Sequence, residues 1–201
     1  MLDTLRDSFN ENLARVESLV TVYESHPDAH GRGRKSAEVL DILRAAVVFL
    51  HAALEDALRS TARWKLPSAG SAVLDEIPLV GQGSNPKKFL LGELANHRGK
   101  RIDDVLTESV NAYLEHSNYN NTADISKLLQ SVGVEVAGAV NYRFADLQAL
   151  MERRHQIVHR ADRQQAVIGS GDHEIRAINR DTVRNWIAVV RDFGAALFAS
   201  L

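Results

Sequence analysis

Apolar positions recur in steps of three and four through most of the chain. In residues 2–24 they fall at Leu2, Leu5, Phe9, Leu13, Val16, Val20 and Tyr23, which is one stripe of an amphipathic helix. The segment SHPDAHGRGRK at 25–35 breaks the pattern with Pro27, Gly31 and Gly33 and reads as a loop, with Arg32, Arg34 and Lys35 as a small basic cluster. Ser36 stands where an N-cap belongs, and the following stretch, about 37–64, is nearly apolar in its middle. That composition predicts the central, most buried helix of a bundle. Residues 67–86 hold three prolines and three glycines and read as an irregular connection. Two helices are expected within 87–116, with a break near Gly99, and the turn HSNYNN at 116–121 leads into a short helix over about 122–131 that stops at Gly133. A helix over about 141–161 follows. The strings AVI, GSGD and HEIRAI then suggest a small two-stranded ribbon around Gly169–Gly171, and Asn179 or Asp181 can cap a last helix over about 181–200. The pattern predicts an all-α fold: one domain over residues 1–201, an antiparallel bundle of five to six helices with a small β-hairpin before the last. No internal repeat of 20–50 residues is visible.

Composition narrows the chemistry. With 201 residues and 45% hydrophobic positions the chain is long enough to bury one core. It has no cysteine, which excludes disulfides, thiolate metal sites and cysteine nucleophiles and is compatible with a reducing, cytoplasmic setting. The first residues, MLDTLRDSFNENL, place Asp3 and Asp7 among the apolar positions and do not read as a signal peptide. No apolar run approaches the length of a membrane span, so no membrane partner is expected. The net charge of −2 lacks the basic excess of a duplex-DNA binder, so DNA is not an expected partner and any nucleic-acid contact must use a local patch.

One such patch exists. ERRHQIVHRADR at 152–163 packs four arginines and two histidines into twelve residues, and Arg154 and His159 within it form R-x-x-x-x-H. The spacing alone says little, because with this many arginines and histidines about one match arises by chance. Its position adds more: the C-terminal half of a late helix, followed by a turn and one last helix. In this context the chain resembles the HEPN superfamily, helical domains with an R-x(4–6)-H motif near the end of a late helix. RRHQIVHRADR, together with LHAALEDALR at 50–59 and SNYNNTADISKLLQSVG at 117–133, is similar to the branch called RiboL-PSP-HEPN. The resemblance runs from about residue 36 to 200, and the first 35 residues rest on periodicity alone.

The resemblance implies a metal-independent endoribonuclease, without cofactor, whose active site forms across a homodimer with one motif from each subunit. It also suggests a toxin or anti-phage effector, with an antitoxin protein as a further partner. The chemistry stands on its own. Cleavage by the 2′-hydroxyl needs a base and an acid, and imidazole, titrating at roughly 6.5 when unperturbed, serves as either. A permanently charged guanidinium stabilises the charge gathering at phosphorus. Under this reading His159 is the general acid or base and Arg154 holds the scissile phosphate. His155 and Asp162 support them, and Arg160 and Arg163 grip flanking phosphates of the RNA. Five residues of helix turn through about 500°, so Arg154 and His159 do not share a face, whereas His155 and His159 at i,i+4 do.

Plainer readings stay open beside this one. The motif can be a solvated helix face, or the chain a non-catalytic HEPN module that binds RNA, nucleotide or protein. His155 and His159 have the spacing of a zinc pair, with Glu152 or Asp162 as third ligand, but the H-E-x-x-H glutamate is missing. The R-x(4)-H-x-Y signature of HEPN partners of nucleotidyltransferases is also absent, since Ala161 stands where the tyrosine would be. Glu55 and Asp56 on the second helix are expected to pair with Arg59, the alternative being a buried carboxylate that orients the motif arginines. His51 reads as a core-edge histidine, and Trp64 and Trp186 as packing anchors. The SNYNN residues can stack on a base or simply cap a helix.

Overall fold

The computed structural model describes residues 1–30, 35–81, 91–135, 141–163 and 175–201. Six long helices carry the fold: α1 (Leu2–Ser25), α2 (Ala37–Lys65), α5 (Ile102–Glu115), α6 (Thr122–Ser131), α7 (Phe144–Arg160) and α8 (Arg180–Ala199). Two single turns, α3 (Ser71–Leu74) and α4 (Leu91–Leu94), stand between α2 and α5. The expected all-α fold is therefore present. Among the described residues there is no strand, only one antiparallel bridge between Arg163 and Ile175. The expected ribbon residues Ala166–Ile168 and His173–Glu174 lie outside the described residues, as do Arg32 and Arg34 of the basic cluster. No helix among the described residues is long and apolar enough to cross a membrane.

The apolar stripes become the core. Phe9, Leu13, Val16 and Val20 of α1 bury against α2, whose Leu43, Val47, Leu50, Leu54 and Leu58 are fully enclosed. α2 also packs on α5, α6, α7 and α8, so it is the central helix that its composition predicts. Its start is fixed by Ser36, whose side chain accepts from the Val39 N–H at 3.4 Å. Asn179 rather than Asp181 caps α8, accepting from the Thr182 N–H at 2.8 Å. Gly133, with φ +78°, ends α6 in the left-handed conformation that glycine adopts without a Cβ penalty.

The fold departs from the sequence pattern at several points. The 67–86 connection is not wholly irregular, because residues 66–68 form a 3₁₀ turn and 71–74 a helical one. α7 begins at Phe144 rather than 141, because residues 141–143 form a turn. Trp186 is buried, but Trp64 is half-buried at the surface, with the Lys65 ammonium 4.3 Å from its ring centre.

α1 meets α8 closely at Gly194. A Cβ there would lie 2.5 Å from the Phe9 Cζ, and that ring is buried edge-on against Phe198 at 5.5 Å. Gly194→Ala is expected to destabilise the fold by about 1–3 kcal/mol through overpacking. For a domain of this size that is a loss of roughly 2–4 °C in Tm per kcal/mol, readable by thermal denaturation.

Candidate functional site

α7 carries the basic motif and is helical through Arg160, so His159 sits in its last turn. Leu147, Leu150 and Met151 bury one face of the helix and thereby set the orientation of everything after them. The adjacent Arg153 and Arg154 are split by that phase. Arg153 points inward and is buried, while Arg154 is half-buried and reaches the 117–121 turn, where its Nη1 donates to the Asn120 Oδ1 at 3.4 Å. His155 and His159 are exposed on one face with ring centres 4.6 Å apart and planes tilted by 43°. Arg160 and Arg163 are also exposed. One chain thus presents a pair of imidazoles to solvent and a separately seated guanidinium.

Asp162 behaves differently from its exposed neighbours. Its side chain is wholly buried, and its Oδ2 accepts from the Arg44 Nε and the Arg153 Nη2, both at 2.7 Å. Arg44 comes from α2. Its Nη2 donates to the Arg176 carbonyl at 2.9 Å, a group that Arg153 also reaches at 3.2 Å. Burial pulls the Arg153 guanidinium down from its ordinary value, with Asp162 opposing that shift. The Ala161 and Asp162 backbones are both left-handed, at φ +48° and +56°, so α7 ends sharply where this carboxylate is gripped. Asp162 therefore holds arginines, not a histidine. Its Oδ2 is held by both arginines and its side chain is wholly buried, so it is a poor third ligand for the exposed His155–His159 pair. Among the described residues no group of three or more His, Asp or Glu side chains forms a metal cluster.

The second helix also departs from expectation. Glu55 and Asp56 do not pair with Arg59. Glu55 accepts the Tyr119 N–H at 3.3 Å, Arg59 donates to the Ser117 carbonyl at 2.9 Å, and Asp56 accepts from Asn12 at 3.4 Å. Glu55 and Arg59 of α2 thus both serve the HSNYNN turn, which Arg154 of α7 also reaches. His51 is not at the core edge but inside it, 1% exposed, with its Nδ1 3.7 Å from the Glu55 Oε2. Burial lowers its pKa below the ordinary 6.5, Glu55 pulls the value up, and the nearby Arg154 charge pushes it down again. The Tyr119 ring, buried against the same cluster, has its hydroxyl pKa raised to about 12, chiefly by burial.

A family model described as RiboL-PSP-HEPN matches residues 10–201, nearly the whole chain. The chain belongs to the RiboL-PSP-HEPN family. The match begins well before residue 36, so α1, read above from periodicity alone, lies mostly within the HEPN domain. No curated protein and no solved structure matches it significantly. Sequence reasoning missed Arg44 altogether, and it missed the buried setting of Arg153 and the contact of Asn120 with Arg154. Arg44 carried a usable signal, since a charge inside the most apolar helix must find a partner.

The buried histidine has a measurable consequence. Below about pH 6.5 the unfolded chain protonates His51 while the folded chain resists, so stability falls as pH drops below that point and levels off below the folded-state pKa. Above about pH 6.5 His51 contributes no pH dependence. Urea denaturation of wild type and His51→Leu between about pH 8 and 5 is expected to show a shallower acid loss in the variant. Parallel curves would show that His51 takes up its proton as readily folded as unfolded.

Proposed function

We propose that this HEPN protein is a metal-independent endoribonuclease acting on single-stranded RNA, with two subunits pooling their motifs. The observation that carries the reading is the exposed His155–His159 pair beside a seated Arg154 on the motif helix of a HEPN domain. In the proposed step one imidazole takes the 2′-hydroxyl proton and the 2′-oxygen attacks phosphorus. The P–O5′ bond breaks, and a second, protonated imidazole gives its proton to the leaving oxygen. The products are a 2′,3′-cyclic phosphate and a 5′-hydroxyl. Arg154 stabilises the charge on phosphorus, and Arg160 and Arg163, exposed beyond it, hold neighbouring phosphates. The need for a 2′-hydroxyl restricts cleavage to RNA.

A second copy answers the separation of the groups within one chain. α7 stays helical between Arg154 and His159, and Arg154 turns to the 117–121 side while His155 and His159 stay exposed together. Two facing motifs would bring the Arg154 of one chain to the imidazoles of the other. As a toxin or anti-phage effector the dimer would need a restraining antitoxin protein in the cell.

The test is incubation of the protein with single-stranded RNA in excess chelator, with end-group analysis of the products and sedimentation of the protein. Cyclic-phosphate ends from a dimer are the expected result. RNA left intact at every concentration would leave a non-catalytic HEPN module, and cleavage by a stable monomer would remove the second subunit from the proposal.

A further inference from the structure

The HSNYNN turn is tied down more firmly than a helix-capping turn requires. Arg59 holds its Ser117 carbonyl and Glu55 its Tyr119 N–H, both from α2. From the α7 side, the Gln148 Oε1 accepts the Thr122 N–H at 3.3 Å. Asn121 does the capping of α6, accepting from the Asp124 N–H at 2.9 Å, which leaves Asn120 no part in that cap. Asn120 is exposed, and its Oδ1 faces the Arg154 Nη1. Beneath the turn, the Nε2 of buried His51 and the Nε of Arg154 are both enclosed without a hydrogen-bond partner among the described residues.

We propose that Asn120 is a positioning residue for Arg154, and that Glu55 and Arg59 fix the turn that carries it over His51. This rests on the ribonuclease reading only for its effect on rate; the seating of the side chain stands without it. A guanidinium on a long, flexible stem gains from a fixed acceptor, because side-chain freedom is then surrendered before substrate arrives. Because Asn120 is exposed, its replacement removes the acceptor without opening the core.

Two measurements test the proposal. In the first, the Arg154 Nε–H resonance is followed by ¹⁵N NMR, assigned by its absence in Arg154→Lys. Asn120→Ala is expected to shift and broaden that signal, and Asn120→Asp, which keeps an acceptor oxygen, to preserve it. An unchanged signal in Asn120→Ala overturns the proposal whether or not the protein cleaves RNA. In the second, Asn120→Ala is expected to lower kcat about three- to tenfold with KM unchanged, the loss of one hydrogen bond. Asn120→Asp should stay near wild type, and Asn120→Ala should add nothing to Arg154→Ala. Arg154→Ala inactive with Asn120→Ala at full rate defeats the positioning role alone. Arg154→Ala at full rate defeats the ribonuclease role of Arg154 and leaves the NMR result to decide the seating.

Discussion

Replacing His159 with alanine is expected to lower RNA cleavage by about 10²- to 10⁴-fold, the usual contribution of a positioned acid or base. His159 is exposed in the last turn of α7, so the loss should come without a change in thermal stability. Arg154→Ala should cost about 10²- to 10³-fold, as removal of one charge-stabilising donor does. Arg154→Lys should recover little, because an ammonium cannot offer the planar two-donor fork to a phosphate. The double variant should be no worse than the weaker single one, since both groups act on the same transition state. Subunit mixing gives the sharper reading. If each centre draws Arg154 from one chain and His159 from the other, an Arg154→Ala subunit paired with a His159→Ala subunit leaves one centre intact. Activity should then exceed that of either parent. Equal inactivity of the mixture and its parents would place both groups of each centre in one chain and remove the need for a dimer.

Much of the architecture could be read before the fold was seen, because burial in a helical bundle repeats with the helix. The α1 stripe of Phe9, Leu13, Val16 and Val20 and the apolar middle of α2 went to the interior as a period near 3.6 demands. Caps at Ser36 and Asn179 were legible because they act within three residues of themselves. The motif was legible as composition, but the setting of its charges was not. Arg153 and Arg154 are neighbours in sequence, and only the phase set by Leu147, Leu150 and Met151 sends one inward and the other toward Asn120. Asp162 lies between Arg160 and Arg163 and looks like part of a solvated run, while its partner Arg44 is 118 residues away. Glu55 and Arg59 at i,i+4 look like a surface ion pair, yet each has a partner across the bundle instead. Local rules fail wherever a charged side chain is satisfied by a distant element.

Asp162→Ala is expected to be the most destabilising single change near the motif, by about 3–5 kcal/mol, because it strands two buried guanidinium groups. Arg44 would keep Asp41, at 2.9 Å, and the Arg176 carbonyl, and Arg153 would keep the carbonyls of Arg176 and Ala177. These are neutral oxygens or, in Asp41, a largely exposed carboxylate, and they do not replace an enclosed negative charge shared by both arginines. The backbone adds to the effect, since aspartate tolerates the left-handed conformation at 162 better than alanine does. Asp162→Asn separates the two contributions. It keeps an acceptor oxygen and the backbone tolerance but loses the charge, so a smaller loss, on the order of 1–3 kcal/mol, is expected. Urea denaturation at neutral pH reads both values. A loss under about 1 kcal/mol for the alanine variant would mean that water reaches the arginines and that the node does not hold the end of α7. If it does hold it, Asp162→Asn should also slow cleavage while remaining folded. The carboxylate would then act on the chemistry only by fixing where the last turn of α7, with His159 in it, comes to rest.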